Sequence, residues 1–123
     1  MSDRITFLYI DDEPINLMLM ETLFRKKFNI ITARSAADAF AVLESNRQLQ
    51  VVISDMRMTK MNGLDFIRSA KKNYPYIKFY ILTGCEVTQE IEDALADGTI
   101  NSYFKKPFQM KEIEEVLINT PLN

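Results

Sequence analysis

The chain contains no histidine among its 123 residues. That absence excludes a histidine-phosphate carrier, a His-ligated zinc site and a Ser/His/Asp triad. Any phosphohistidine in its chemistry must belong to a partner. There is a single cysteine, Cys85, so no intramolecular disulfide can form, and a reducing cytoplasm is the expected compartment. Only three glycines occur and none falls in a G-x-G-x-x-G pattern, which counts against a nucleotide- or flavin-binding domain. Basic excess is missing too: 15 Lys and Arg stand against 17 Asp and Glu, for a net charge of −2. A general nucleic-acid or anionic-membrane surface would need the opposite sign. No apolar run approaches a membrane span, and no leader-like stretch precedes the first strand.

What is present is ordinary for a soluble globular chain: 47% hydrophobic and 26% charged. The length suits one domain, 1–123, with a core at about residues 5–118. Strand-like runs alternate with helix-like ones throughout. Ile5 to Ile10 reads as a strand, and Pro14 to Lys27 as a helix with Ile15, Leu19 and Leu23 at four-residue spacing. Phe28 to Thr32 is a second strand, less apolar and suited to an edge. Ser35 is placed to cap a helix, with Asp38 three residues on and Phe40 and Leu43 on its face.

At the centre lies Gln50 to Met58, where the apolar run Val51-Val52-Ile53 ends in Ser54 and Asp55. A continuous apolar run without alternation marks a strand buried on both faces. Thr59 to Gly63 is turn-rich, and a helix carrying Leu64, Phe66 and Ile67 follows to Lys72. Ile77 to Leu82 is a fourth strand, closing in Thr83-Gly84. Thr88 to Asp97 is a short helix with Ile91, Ala94 and Leu95 expected inward, and Gly98 is placed as a C′ glycine. Ile100 to Phe104 is the fifth strand. Met110 to Ile118 is the last helix, with Ile113, Val116 and Leu117 on one face. Five β-then-α repeats imply a parallel sheet with helices on both faces.

In such a sheet every strand's C-terminal end reaches one edge, where ligands bind. Asp11-Asp12-Glu13, Asp55, Thr83 and Lys105-Lys106-Pro107 all fall there. Taken alone, the acids at 11–13 could simply cap the helix at Pro14, Asp55 could serve an Asx turn, Thr83 could be a turn residue and Lys106 a surface lysine. Taken together, crowded carboxylates need a cation among them. Hard oxygen donors suit Mg²⁺.

On these residues the chain resembles the receiver domain of two-component response regulators. The resemblance rests on Tyr9-Ile10-Asp11-Asp12-Glu13, Ile53-Ser54-Asp55-Met56-Arg57-Met58, Met61-Asn62-Gly63, Ile81-Leu82-Thr83-Gly84 and Tyr103-Phe104-Lys105-Lys106-Pro107-Phe108. It covers about Ile5 to Ile118. It implies a flavodoxin-like (βα)5 fold with strand order 2-1-3-4-5, an order the flavodoxin-like class is known for.

It also implies a signalling module rather than a metabolic enzyme. Asp55 would accept a phosphoryl group from a histidine kinase or histidine phosphotransfer protein, catalysing its own phosphorylation and slow dephosphorylation. Mg²⁺ would be held by Asp12, Asp55 and the Arg57 backbone carbonyl, with Asp11 and Glu13 supporting. Thr83 and Lys106 would bind phosphoryl oxygens, and the Lys106-Pro107 bond would be cis. Thr83 and Tyr103 would form a switch that alters the surface of the fourth helix, fifth strand and fifth helix, and so controls a downstream protein or output domain. That surface is acidic: Glu86, Glu90, Glu92, Asp93 and Asp97, then Glu112, Glu114 and Glu115 around Lys111. Such charge is also what an ordinary solvated face carries.

Two departures stand out. Thr59 replaces the family's common proline, which suggests a looser loop. Arg57 and Cys85 stand where the family's side chains flank the hydrolytic water. Of other classes, an aspartyl-phosphate phosphatase would want an acid where Arg57 stands. A docking-only pseudo-receiver is disfavoured by the full set of reactive residues. The start at Met1 and the short tail lean toward a free-standing regulator, with a receiver cut from a longer chain as the alternative.

Overall fold

The computed structural model describes residues 4–84 and 86–120. Cys85 and the two termini lie outside the described residues. Ten elements alternate: β1 (Thr6–Ile10), α1 (Pro14–Phe24), β2 (Asn29–Ala33), α2 (Ala36–Ser45), β3 (Val51–Asp55), α3 (Gly63–Asn73), β4 (Lys78–Thr83), α4 (Gln89–Ala96), β5 (Ser102–Lys105) and α5 (Met110–Ile118). The five strands form one parallel sheet of order β2-β1-β3-β4-β5, as the flavodoxin-like expectation requires.

The strands do not alternate in hydrophobicity because both of their faces are covered. Leu8, Ile10, Val52, Phe79 and Ile81 point to one side, against Ala39 and Leu43 of α2, Phe66 and Ile67 of α3, and Ile91 and Ala94 of α4. Phe7, Tyr9, Val51, Ile53, Leu82 and Phe104 point to the other, against α1 and α5. β2 is an edge and only partly buried, in keeping with its mixed sequence. Among the described residues no helix is long and apolar enough to cross a membrane.

Local signals set most helix ends. The Ser35 side chain accepts from the Asp38 N–H at 3.1 Å and that of Asn62 from the Asp65 N–H at 2.8 Å. Thr88 caps α4 in the same way at 3.2 Å, and Gly98 follows that helix with φ +83°.

The expected inward face of α1 is corrected. Of the three spaced residues Leu23 packs against the core, whereas Ile15 and Leu19 are exposed, at 76% and 48%, and the buried residues are Leu17, Met20 and Phe24. The helix also ends at Phe24 rather than Lys27. Its sequence is apolar nearly all round, so spacing alone does not select a face. Phe24 selects it by joining Phe7 and Phe28, with ring centroids 5.9 to 6.2 Å apart. Leu95 is corrected as well. It is 40% exposed, because Ile91 and Ala94, three apart, already occupy the stripe of α4 that meets the sheet.

Candidate functional site

The order of strands reverses between β1 and β3, and there the acids meet. Ile10 pairs with Ser54, so Asp11 and Asp55 leave adjacent strands side by side. One carboxylate oxygen from each of Asp11, Asp12 and Asp55 lies within 4.8 Å of the others. Asp11 is fully buried and Asp55 nearly so.

Lys106 arrives from the far side of Asp55. Its backbone N–H donates to the Thr83 carbonyl at 2.8 Å, which continues the β4–β5 register, and the Lys106-Pro107 bond is cis. From there Nζ reaches Asp55 Oδ1 at 2.8 Å and lies 4.0 Å from Asp11 Oδ2. One ammonium thus lies within 4.0 Å of two of the three carboxylates, and Lys106 is itself about one-third exposed. Burial pushes the Asp55 carboxyl above its usual range; the bond from Lys106 pulls it back, and the charges of Asp11 and Asp12 push it up again.

The two neighbouring acids are tied by neutral donors. Asp11 Oδ2 accepts from the Tyr9 hydroxyl at 2.6 Å and from Asn16 Nδ2 at 3.1 Å, and Oδ1 accepts from the Glu13 N–H at 2.9 Å. Burial first, and then the bond to Asp11, push the Tyr9 phenol far up, so it stays a donor at any ordinary pH. Asp12 Oδ2 accepts from the Thr59 hydroxyl at 2.7 Å.

The loop after β3 is therefore anchored at Thr59, where the missing proline had suggested looseness. A hydroxyl can bind an acid that a proline ring cannot. Sequence reading missed Tyr9, Asn16 and Thr59. Tyr9 carried a signal: a phenol inside an otherwise apolar buried strand needs a partner for its hydroxyl.

The remaining expected residues are placed as follows. Thr83 ends β4 and is buried; Tyr103 is half-buried on β5, beside Ile81 in register, and packs against the core under α4. Arg57 is exposed in the loop leaving β3. Glu13 is exposed and caps α1 without a side-chain bond. Among the described residues its carboxylate does not join the three that could share a cation, and it meets the site through its backbone N–H. The helix-capping reading of the acids thus loses its support at α1. Gly63 packs the start of α3 directly on the Asp55 carbonyl, and its N–H donates to the Met56 carbonyl at 2.8 Å.

Three oxygen donors clustered at this spacing fit a small hard cation. Ligands of Mg²⁺ stand about 2.1 Å from the ion, so neighbouring oxygens fall roughly 3–4 Å apart, a modest contraction from the spacing here. The carboxylates that would hold it are those of Asp11, Asp12 and Asp55.

A parallel five-stranded sheet with acids and a lysine at its switch point defines a doubly wound α/β module with a charged site at the carboxyl edge of its strands. A family model, the response regulator receiver domain, matches residues 7–118. The chain belongs to that family and is a receiver domain of the two-component response regulator type. The heme response regulator HssR of Staphylococcus saprophyticus is 32% identical over 109 residues, covering 88% of this chain and 47% of that protein. A response regulator receiver domain protein of Clostridium thermocellum superposes with a TM-score of 0.82 at 28% identity, over 94% of this chain and 92% of that one. A chemotaxis protein of Vibrio cholerae superposes at 0.85 with 21% identity, over 96% and 99%, and shares the fold. The chain spans about half or less of the length of the first curated relatives it matches.

Proposed function

We propose that Asp55 is the phospho-acceptor of this receiver, taking a phosphoryl group from the phosphohistidine of a histidine kinase or phosphotransfer protein. The observation that carries this is the 2.8 Å contact of Lys106 Nζ with Asp55 Oδ1 inside a ring of two further acids. An Asp55 oxygen attacks phosphorus, the P–N bond of the donor breaks, and its imidazole leaves. An acyl phosphate remains. Bound Mg²⁺ supplies positive charge to the phosphoryl oxygens.

Lys106 then exchanges its carboxylate contact for a phosphoryl oxygen. Thr83, at the end of the neighbouring strand, offers its hydroxyl to another. The Arg57 carbonyl completes the protein donors beside Asp12 and Asp55. Movement of Thr83 vacates space toward which the half-buried Tyr103 ring can turn, changing the surface of α4, β5 and α5.

Two surfaces suit two kinds of partner. Beside the acids, α1 exposes Ile15, Met18 and Leu19, and Leu19 shares a cleft with Lys106, Phe108 and Met110. An apolar helix face so close to Asp55 suits docking of the phosphoryl donor. The acidic α4 and α5 faces suit a downstream protein or output domain with basic groups.

The test is incubation with acetyl phosphate and Mg²⁺, read by intact mass, with Asp55→Asn alongside. The wild type should gain one phosphoryl group and the variant none. Gain that survives the substitution refutes the assignment.

A further inference from the structure

Asp11 is fully buried, and among the described residues its ion-pair partner, Lys106 Nζ, stands 4.0 Å away while it contacts Asp55 at 2.8 Å. A buried carboxylate is tolerated only when its charge is answered. Here neutral donors answer it. A carboxylate offers about four lone-pair positions, and three are filled, by the Tyr9 hydroxyl, the Asn16 amide and the Glu13 N–H. The Tyr9 contact is the shortest at 2.6 Å and lies wholly in the interior.

The phenol donates to Asp11, and its ring is held by the core between β1 and the α1–α5 layer. Its position is therefore set by packing, and Asp11 is held by it. We infer that Tyr9 is a positioning residue that sets how tightly this receiver holds its divalent cation, by sharing the charge of Asp11 before any cation arrives. This rests on the reading of the acids as the Mg²⁺ site.

The sign follows from electrostatics. In a low-dielectric pocket a donor that stabilises the free carboxylate weakens that carboxylate's pull on a cation. Tyr9 thus makes the cation-free pocket stable and its hold on Mg²⁺ moderate. Asn16, which bonds the same oxygen from a half-buried position, acts in the same direction with less force. The arrangement lets the domain stay folded when cation is scarce, and leaves it responsive to cation concentration.

The experiment is Mg²⁺ titration calorimetry on wild type, Tyr9→Phe and Asn16→Ala, with thermal melts in EDTA and in saturating Mg²⁺. Tyr9→Phe keeps the ring and deletes only the donor. It should melt lower than wild type in EDTA, bind Mg²⁺ roughly three- to tenfold more tightly, and recover most of the lost stability when the ion is added. Asn16→Ala should tighten binding by less.

An unchanged or weaker Mg²⁺ affinity in Tyr9→Phe overturns the inference, even if that variant is destabilised, because a merely structural phenol would lower the melt and leave the affinity alone. Should Tyr9→Phe not fold, Asn16→Ala decides by the same criterion. A wild type that binds no Mg²⁺ overturns the metal reading and this inference together. A wild type that binds normally beside an unaltered variant overturns this inference alone.

Discussion

Replacing Gly63 with alanine sets two effects against each other. Gly63 opens α3, and alanine is favoured over glycine in a helix by up to about 1 kcal/mol. Against that, a Cβ there would lie 2.5 Å from the Asp55 carbonyl oxygen, 2.8 Å from Ile81 Cδ1 and 3.0 Å from Ser54 Oγ. The Ile81 methyl can turn aside. The carbonyl cannot, because it belongs to the central strand and is held by the Ser54 hydroxyl at 3.0 Å. A relaxed carbon–oxygen contact begins near 3.3 Å, so the start of α3 must retreat by roughly 0.8 Å. Overpacking of this kind costs about 1–3 kcal/mol, which outweighs the helical gain. The net loss should be about 1–2 kcal/mol, a fall in Tm of roughly 3–8 °C for a chain of this size.

Through the Gly63 N–H bond to the Met56 carbonyl, the same retreat pulls on the loop that carries the Arg57 carbonyl, proposed above as a cation donor beside Asp55. A displacement approaching 1 Å at a reacting group lowers rates by up to about a hundredfold, so phosphoryl uptake from acetyl phosphate should slow by at least tenfold. Circular-dichroism melts and timed intact-mass measurements on Gly63→Ala check both. A variant that melts at or above wild type and is phosphorylated at the same rate would show that the clash is relieved without disturbing the site, and would refute this reasoning.

Asp55→Asn should raise the cation-free Tm at neutral pH. Folding lifts the Asp55 carboxyl above its usual range, so the native state holds its proton to higher pH than the unfolded chain does. Its contribution to stability therefore falls as pH rises from the ordinary carboxylate value through the lifted one, and above that the ionised group is a net burden. The advantage of the variant should vanish at acid pH; a variant less stable than wild type at pH 7 in EDTA would contradict this. Arg57→Ala should change the dephosphorylation rate, followed by mass after removal of the phosphoryl donor, and an unchanged rate would remove Arg57 from the water's path. Phe24→Ala should cost about 3–5 kcal/mol in denaturant unfolding while Ile15→Ala costs under about 0.5, since only Phe24 is buried. Equal costs would contradict the assigned face of α1.

Much of this protein was legible before any coordinates. Val51-Val52-Ile53 ending in Asp55 announced a central strand with an acid at its edge, because a strand covered on both sides has no polar alternation. Ser35 with Asp38, and Gly98 after α4, marked helix ends through local hydrogen bonding and a positive φ that glycine accepts without strain. β–α repetition required the parallel sheet, and the parallel sheet required the strand ends to converge.

Tertiary structure alone decided the rest. In α1, apolar residues surround the helix, so only packing with Phe7 and Phe28 could choose Phe24 over Ile15 and Leu19 as its inward side. At Thr59 the sequence suggested slack, and contact with Asp12, 47 positions away, supplies a tether. Tyr9 sits two residues before Asp11, on the same side of an extended strand, yet whether its hydroxyl meets that acid depends on where α1 and the core hold the ring. Local rules govern a residue's neighbours in the chain. Which donor answers a buried charge is settled only when distant elements pack.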